Sequence, residues 1–194
     1  MHSYYITYNV LVKMSLRREQ QVDKVMVFID GMNARCRLEE CKWVEDFDVL
    51  HLAQRLAGSR TLSGIFYYIT TPNRKQLGNE GYSRARRYID AVEKQSMVTV
   101  KKGYMVDRDG IWEEKMVDVL IASDMIFFAA RDEYDTAILV TADNDLVPAI
   151  QRVKNLNHKV ELLVFTKARP KVGNLIKASS IYRKARESYF KLIF

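Results

Sequence analysis

The sequence predicts an α/β fold, in which a mainly parallel sheet of about five strands is packed between layers of helices. Short apolar runs alternate along the chain with longer segments whose apolar residues recur at helical spacing. Most of the short runs are apolar at successive positions, as is typical of strands that are covered on both faces. An alternation of strands and helices favours a parallel sheet with right-handed crossovers.

The predicted elements follow one another between residues 25 and 165. The predicted strands are residues 25–29, 64–70, 97–100, 137–141 and 160–165. The predicted helices are residues 47–56, 80–94, 115–130 and 146–156. A chain of 194 residues fits one such domain. We therefore predict a single domain at residues 23–194, with a basic C-terminal part, preceded by an N-terminal extension at residues 1–22 whose role is open.

The composition excludes several classes of protein. Hydrophobic residues make up 48% of the chain and there are only 8 Gly and 3 Pro, so the sequence can build a core and is not of low complexity. Cys36 and Cys41 are its only cysteines, which excludes a disulfide scaffold and fits reduced thiols in the cytoplasm. No apolar run approaches the roughly 20 residues of a membrane-spanning helix. We expect a cytoplasmic protein with no membrane partner.

The formal net charge of +7 is unevenly distributed along the chain. Residues 151–194 carry 11 Lys and Arg against 2 Asp and Glu, whereas residues 105–145 carry 11 Asp and Glu against 3 Lys and Arg. An acidic stretch beside a basic one is typical of a cation site next to a surface that attracts polyanions. Ordinary solvated helix faces give similar charge counts, so only the motifs can distinguish a functional site from charged surface.

Two of the predicted strands end in aspartates at the same edge of the sheet. The first strand is followed by Asp30, and the fourth by Asp143 and Asp145. Ligands of open parallel sheets bind outside the carboxyl ends of the strands, so we expect a site at this edge. A carboxylate at the mouth of a buried strand needs a cation nearby. The competing interpretation is that Asp30 and Asn33, and likewise Asp145, cap the helices that follow.

Asp118 stands among apolar neighbours on the predicted helix at residues 115–130. A carboxylate in such surroundings is normally paired or bound to a metal ion. Lys115 lies three residues earlier on the same side of the helix, so a structural ion pair is the alternative, and balancing Asp118 is the role that we favour for Lys115. Asp124 lies about 120° from Asp118 around the helix and is expected to act only indirectly.

Together, Asp30, Asp118 and Asp143 predict a centre for a hard divalent cation, Mg²⁺ or Mn²⁺, because such ions prefer oxygen ligands. Carboxylate-held divalent ions suit phosphoryl chemistry, and a phosphodiester is the expected substrate. Basic residues are candidates to bind its backbone, with Tyr82 and Tyr88 as candidates to stack on its bases, although each is also explained as ordinary surface. These basic residues are Arg84, Arg87, Lys167, Arg169 and Lys171.

Three segments, V-F-I-D-G-M-N, K-M-V-D-V-L-I-A-S-D and I-L-V-T-A-D-N-D-L-V-P, occur in this order between residues 24 and 177. They resemble the motifs of the NYN domain, a branch of the PIN-like metal-dependent ribonucleases, and in particular those of its bacterial LabA-like members. The resemblance implies a PIN-like three-layer α/β/α sandwich. It also implies cleavage of single-stranded or structured RNA with Mg²⁺ or Mn²⁺, leaving 5′-phosphate and 3′-hydroxyl ends.

The resemblance assigns roles to individual residues. The implied catalytic residues are Asp30, Asn33, Asp118, Asp143 and Asp145. Of these, Asp30, Asp118 and Asp143 are the implied metal ligands, Asp145 is an auxiliary acid and Asn33 is the amide of the first motif. The expected auxiliary residues are Lys115, Asp124 and Thr141. The chain departs from the family at Ala142, where members often carry glycine, so the loop is somewhat stiffer here.

Other functions remain open. A haloacid-dehalogenase-type phosphatase needs a second aspartate where this chain has Met32, and a Toprim-type nuclease needs a glutamate in place of Asp30. The alternatives that remain are a catalytically silent RNA-binding or regulatory module on the same scaffold, and a toxin-type nuclease controlled by a protein partner. A homodimer is also open, since the apolar residues 189–194 can be buried either within the chain or against a second copy.

Overall fold

In the computed structural model, which describes residues 22–165 and 172–193, helices cover both faces of a seven-stranded sheet. The strands are β1 (Lys24–Asp30), β2 (Thr61–Thr70), β3 (Val98–Arg108), β4 (Ile111–Lys115), β5 (Thr136–Val140), β6 (Lys159–Val164) and β7 (Ile181–Lys184). The α-helices are α1 (Gly31–Cys41), α2 (Val49–Ala57), α3 (Arg74–Glu93), α4 (Val117–Ala130), α5 (Val147–Asn155) and α6 (Gly173–Ala178). The 3₁₀ turns are Asn144–Leu146 and Glu187–Tyr189.

The sheet has the strand order β4-β3-β2-β1-β5-β6-β7. All neighbouring strands are parallel except β3 and β4, which form an antiparallel hairpin. The central strand, β1, pairs with β2 on one side and with β5 on the other. The carboxyl ends of β1 and β5 therefore lie next to each other, and the predicted α/β class is confirmed.

The side chains of β1 alternate between two cores, because successive residues of a strand point to opposite faces. Val25, Val27 and Ile29 pack with α1, α2 and α3 on one face of the sheet. Met26 and Phe28 pack with α4, α5 and α6 on the other face. This arrangement is a three-layer α/β/α sandwich. No helix within the described residues is both long and apolar enough to cross a membrane.

The prediction of about five strands missed β4 and β7. The β3–β4 connection is a tight turn with positive φ at both Asp109 and Gly110, and an Asp-Gly pair at this position is a strong hairpin signal. The helix predicted from residue 115 begins only at Val117, because residues 111–115 alternate along β4 instead of continuing the helical period. The helices α1 and α6 were also absent from the predicted elements, although the capping interpretation of Asp30 implied a helix at α1.

The hairpin leaves the sheet at its carboxyl edge. The strand β3 pairs with β2 as far as Gly103 and with β4 from Tyr104 onwards. A Cβ atom on Gly103 would lie 2.5 Å from the backbone oxygen of Lys115. Gly103 thus lets the connection between β4 and α4 lie directly against β3.

The ends of the chain are described only in part. The predicted N-terminal extension, residues 1–22, lies outside the described residues apart from Val22. Near the C-terminus, Phe190 is 6% exposed and packs against Trp43, Phe47 and Phe165 within the first core. This part of the apolar C-terminal segment is therefore buried within the chain.

Candidate active site

Asp30 is the last residue of β1 and is only 3% exposed. Its Oδ1 accepts a hydrogen bond from the backbone N–H of Asn33 at 3.0 Å, which caps α1. Its Oδ2 accepts a hydrogen bond from the Thr141 hydroxyl at 2.9 Å. The capping interpretation is therefore correct for one oxygen, while the other oxygen faces the end of β5.

Gly31 allows α1 to begin immediately after Asp30. A Cβ atom at this position would lie 2.5 Å from Cζ of Tyr67 and 2.6 Å from the backbone oxygen of Tyr68. Both tyrosines are fully buried on β2. A larger residue at position 31 would have to displace β2 or α1, so the glycine fixes the position of the Asp30 carboxylate.

Two hydrogen bonds join the junction of β1 and α1 to the loop after β5. The Thr141 hydroxyl, which donates to Asp30, also accepts a hydrogen bond from the backbone N–H of Asp143 at 3.1 Å. The Asn33 side-chain oxygen accepts a hydrogen bond from the backbone N–H of Ala142 at 2.9 Å. These bonds hold the Asp30 and Asp143 loops in a fixed relation. The Asp143 carboxylate in turn accepts a hydrogen bond from the backbone N–H of Asp145 at 2.9 Å, so Asp143, and not Asp145, caps the 3₁₀ turn.

Asp118 reaches the same edge from the first turn of α4 and is half-buried. Burial, followed by the charges of Asp143 and Asp145, raises the pKa of the Asp118 carboxyl group. The residue before the helix, Met116, has a φ of +80°, a conformation that L-residues rarely adopt. This turn redirects the chain from β4 into α4 and brings Asp118 towards the aspartates that follow β1 and β5.

Glu114 is a fourth carboxylate at this site, and the sequence analysis missed it. It lies on β4 and accepts a hydrogen bond from the Thr70 side chain at the end of β2. Burial, followed by the charges of Asp30, Asp118 and Asp143, raises its pKa to about 7. Its Oε2 atom is buried without a hydrogen-bond partner. Recognising the hairpin would have suggested it, because alternation along β4 places Glu113 and Glu114 on opposite faces.

The carboxylates together form an electrostatically unfavourable group. Burial is the main cause that raises the pKa of Asp30 to about 6, and the charges of Asp118 and Asp143 contribute. No group of three or more Asp, Glu, His or Cys side chains within residues 22–165 and 172–193 is arranged to chelate a metal ion as it stands. The donor set nevertheless fits a hard cation, because a buried Asp30 and an unpaired Glu114 oxygen are the features that such an ion would satisfy.

Two of the predicted auxiliary residues have other partners. Lys115 is the last residue of β4 and pairs with Glu113 at 2.8 Å, so the proposed helical pairing with Asp118 is wrong. Asp124 is buried on α4, where it pairs with Lys101 at 2.8 Å and accepts a hydrogen bond from the Tyr68 hydroxyl at 2.7 Å. This network joins α4 to β2 and β3 and lies beside the group of acids.

The predicted nucleic-acid contacts are only partly described. Arg84 and Arg87 are exposed on α3 and line a shallow surface pocket. Tyr88 is fully buried and donates a hydrogen bond to the backbone oxygen of Phe47, so it cannot stack on a base as predicted. The other three basic candidates lie outside the described residues; they are Lys167, Arg169 and Lys171.

Comparisons with known proteins agree with this architecture. The sequence model of the NYN domain matches residues 24–184. A crystal structure of a protein of unknown function from Vibrio parahaemolyticus has a similar fold, with a TM-score of 0.65 and 20% sequence identity over 89% of this chain and 98% of that one. No curated protein is significantly similar in sequence.

Proposed function

This chain belongs to the NYN domain family, whose members are generally nucleases, and on that premise we propose that it is a metal-dependent ribonuclease that hydrolyses RNA phosphodiester bonds. The observation that carries the proposal is the buried Asp30 carboxylate, which shares one edge of the sheet with three further carboxylates. Such a group is unfavourable without a cation. Mg²⁺ or Mn²⁺ is the cofactor of the proposed reaction.

Asp30, Asp118 and Asp143 are the proposed metal ligands, with Glu114 as a further oxygen donor. When bound, the ion supplies neutralisation of the scissile phosphate and a more acidic water as nucleophile. Glu114 and Asp118 come from the β4–α4 segment, whereas Asp30 and Asp143 come from the central strands. The proposed ligands thus approach from two sides of the site.

The remaining residues orient these carboxylates. The Thr141 hydroxyl fixes one oxygen of Asp30 and the backbone of Asp143 at the same time. Asn33 ties the two loops together through Ala142, which supports a positioning role for this amide. Asp145 is exposed and close enough to raise the pKa of Asp118, so it is the proposed auxiliary acid at the mouth of the site.

The proposed substrate is single-stranded or structured RNA, cleaved to leave 5′-phosphate and 3′-hydroxyl ends, as the resemblance implies. Membership of the LabA-like branch is part of the proposal and is supported by the three sequence motifs. A cytoplasmic location is supported by Cys36 and Cys41, which are both free thiols. Association with a second copy or with a controlling protein partner stays a prediction.

One observation favours a catalytically silent RNA-binding module instead: the carboxylates within the described residues are not gathered into a chelating group. The two functions differ in their dependence on metal. A labelled single-stranded RNA and a matched DNA are incubated with the protein in Mn²⁺, in Mg²⁺ and in chelator. We expect cleavage of the RNA only with a divalent ion. Equal binding of RNA in all three conditions with no cleavage would establish the silent module.

Variants of two aspartates test whether cleavage depends on the candidate active site. Asp118→Asn keeps the size of the side chain but removes its charge, so we expect it to abolish cleavage and to weaken Mn²⁺ binding measured by calorimetry. Asp132→Asn is the matched control, since the Asp132 side chain is 91% exposed in the turn between α4 and β5, at the opposite edge of the sheet. Loss of activity in both variants would contradict the assignment of the site.

A further inference from the structure

The β3–β4 hairpin carries a tryptophan whose surroundings nothing in the fold explains. Trp112 is half-buried, yet it packs into neither core and makes no ring–ring or cation–π contact with the described residues. The other tryptophan, Trp43, packs against Phe165 and Phe190 in the first core. A large aromatic side chain without such partners is common where a protein binds a ligand.

The register of the hairpin fixes which way Trp112 faces. Met105 pairs with Glu114, and Asp107 pairs with Trp112, so these four side chains share one face of the two-stranded ribbon. Glu114 interacts with Asp30, Asp118 and Asp143, which identifies this face as the one turned towards the acids. Trp112 therefore lies on the side of the hairpin that looks onto the candidate active site.

The position of Trp112 along the hairpin is also defined. It lies two residues from Glu114, a separation of about 7 Å in an extended strand. The hairpin extends beyond the carboxyl edge of the sheet, so Trp112 lies farther from the sheet than Glu114 does. The carboxylate opposite it, Asp107, accepts a hydrogen bond from the backbone N–H of Gly110 and is engaged in the turn. The Trp112 ring therefore lies next to the candidate active site.

We propose that Trp112 is a stacking platform for a nucleobase of single-stranded nucleic acid, next to the phosphodiester bond held at the acids. This inference rests on the proposed function, because it needs a phosphodiester at Asp30 and its neighbours. Aromatic rings bind bases by stacking with little sequence preference, and the bases of a duplex are already stacked on one another. The platform therefore selects unpaired strands and places the base of a nucleotide adjoining the bond to be cut.

Fluorescence tests the platform directly, because the chain has only two tryptophans. A single-stranded oligoadenosine RNA is mixed with the wild type in Mg²⁺ and the emission is recorded before cleavage occurs, because without a cation the acids would repel the phosphates. We expect quenching of the tryptophan emission, and we expect it to be absent in Trp112→Phe, in which only Trp43 emits. A duplex RNA and an abasic oligonucleotide of the same length are expected to give no quenching.

Affinity provides the second measurement. Trp112→Ala is expected to weaken binding of the oligonucleotide about 5- to 150-fold, the range that one base–aromatic stack supplies. Trp112→Tyr keeps an aromatic face and is expected to bind like the wild type. The matched control is Ile111→Ala, which changes the neighbouring residue, 68% exposed and on the opposite face of the hairpin, and is expected to leave the affinity unchanged.

The outcomes separate this inference from the proposed function. If Trp112→Ala raises KM for single-stranded RNA while kcat and Mn²⁺ binding stay at wild-type levels, the platform is supported. If the wild type cleaves RNA with metal but Trp112→Ala binds and cleaves equally well, the platform is refuted and the nuclease stands. If the wild type neither binds nor cleaves any single strand, both are refuted.

Discussion

The buried charge of Asp30 leads to a prediction about the stability of the metal-free protein. Replacing Asp30 by Asn removes the ionisable group but keeps a side-chain oxygen that can accept the capping hydrogen bond from Asn33. We expect Asp30→Asn to be more stable than the wild type at neutral pH without metal, and to have lost metal-dependent activity. A substitution that stabilises the fold while removing activity is typical of a strained functional site.

The magnitude follows from the pKa of Asp30. Burial and the neighbouring acids raise the pKa from 3.8 to about 6, which disfavours the charged form by about 3 kcal/mol, since one pKa unit is about 1.36 kcal/mol. In the variant an amide nitrogen replaces Oδ2 and cannot accept the hydrogen bond from Thr141, and the loss of this bond offsets about 1 kcal/mol. The expected net gain at pH 7.5 is about 2 kcal/mol, or an increase in Tm of about 4–8 °C for a domain of this size.

The dependence on pH has a definite sign. Below pH 3.8, Asp30 is protonated in both the folded and the unfolded chain, so its ionisation does not oppose folding. As the pH rises from 3.8 to about 6, the unfolded chain releases this proton more readily, and the stability of the wild type falls relative to that of Asp30→Asn. Above about pH 6, Asp30 itself adds no further change, and the difference varies only through Glu114, whose pKa of about 7 is raised in part by the charge of Asp30.

Urea unfolding in chelator, measured from pH 4.5 to pH 8, provides the assay. The quantity to compare is the difference in unfolding free energy between the variant and the wild type, because carboxylates that do not interact with Asp30 contribute equally to both proteins. Asp48→Asn is the control, since Asp48 also caps a helix through a backbone N–H, at His51, but precedes α2 and is not one of the charges that raise the pKa of Asp30. A difference that does not vary with pH, or a destabilised Asp30→Asn at pH 7.5, would refute the reasoning.

Three further changes test the geometry of the site. Met116 has a φ of +80° and is 47% exposed, so Met116→Gly removes an unfavourable backbone conformation. We expect urea unfolding to show an increase of about 1 kcal/mol in the free energy of unfolding. A decrease would mean that the packing of the Met116 side chain stabilises the fold by more than its backbone conformation costs. Gly103→Ala places a Cβ 2.5 Å from the backbone oxygen of Lys115. We therefore expect the free energy of unfolding to fall by about 2 kcal/mol or more and Mn²⁺ binding, measured by calorimetry, to weaken. Gly173→Ala is the control, because its Cβ meets no atom within 4 Å, and we expect it to leave stability and Mn²⁺ binding unchanged. Thr141→Val removes the hydroxyl that bonds to Asp30 and to the backbone of Asp143, so we expect the cleavage rate to fall at least about 10-fold. Thr141→Ser keeps a hydroxyl and is expected to cleave at the wild-type rate. Equal rates for the wild type and both variants would show that the hydroxyl does not position these acids.

The sequence predicted the parts of the fold that depend on local patterns. The apolar runs of β1 and β5 predicted that Asp30 and Asp143 lie at one edge of the sheet, and the parallel pairing of these two strands places them there. The hairpin was missed because residues 101–114 were assigned to no strand or helix, although the Asp109–Gly110 pair within them indicated a turn. The same omission concealed Glu114, and starting the helix at residue 115 assigned Lys115 to the wrong partner.

Other contacts have no local signal in a single sequence. The ion pair between Lys101 and Asp124 joins β3 to α4, and only the packing of the helix on the sheet brings the two residues together. The burial of Tyr88 likewise depends on α2 and the loop before it, since its hydroxyl reaches the backbone oxygen of Phe47. Helical spacing in the sequence places Tyr88 on one side of α3, but it does not show which other part of the chain packs against that side.

The hydrogen bond between Thr141 and Asp30 connects residues that are 111 positions apart, across the neighbouring strands β1 and β5. A contact of such long range requires a long loop to close, which costs conformational entropy before the bond contributes any free energy. A chain that is still being synthesised has Asp30 long before it has Asp143. In the proposed ribonuclease, the group of acids is therefore incomplete until the chain has been synthesised beyond Asp143.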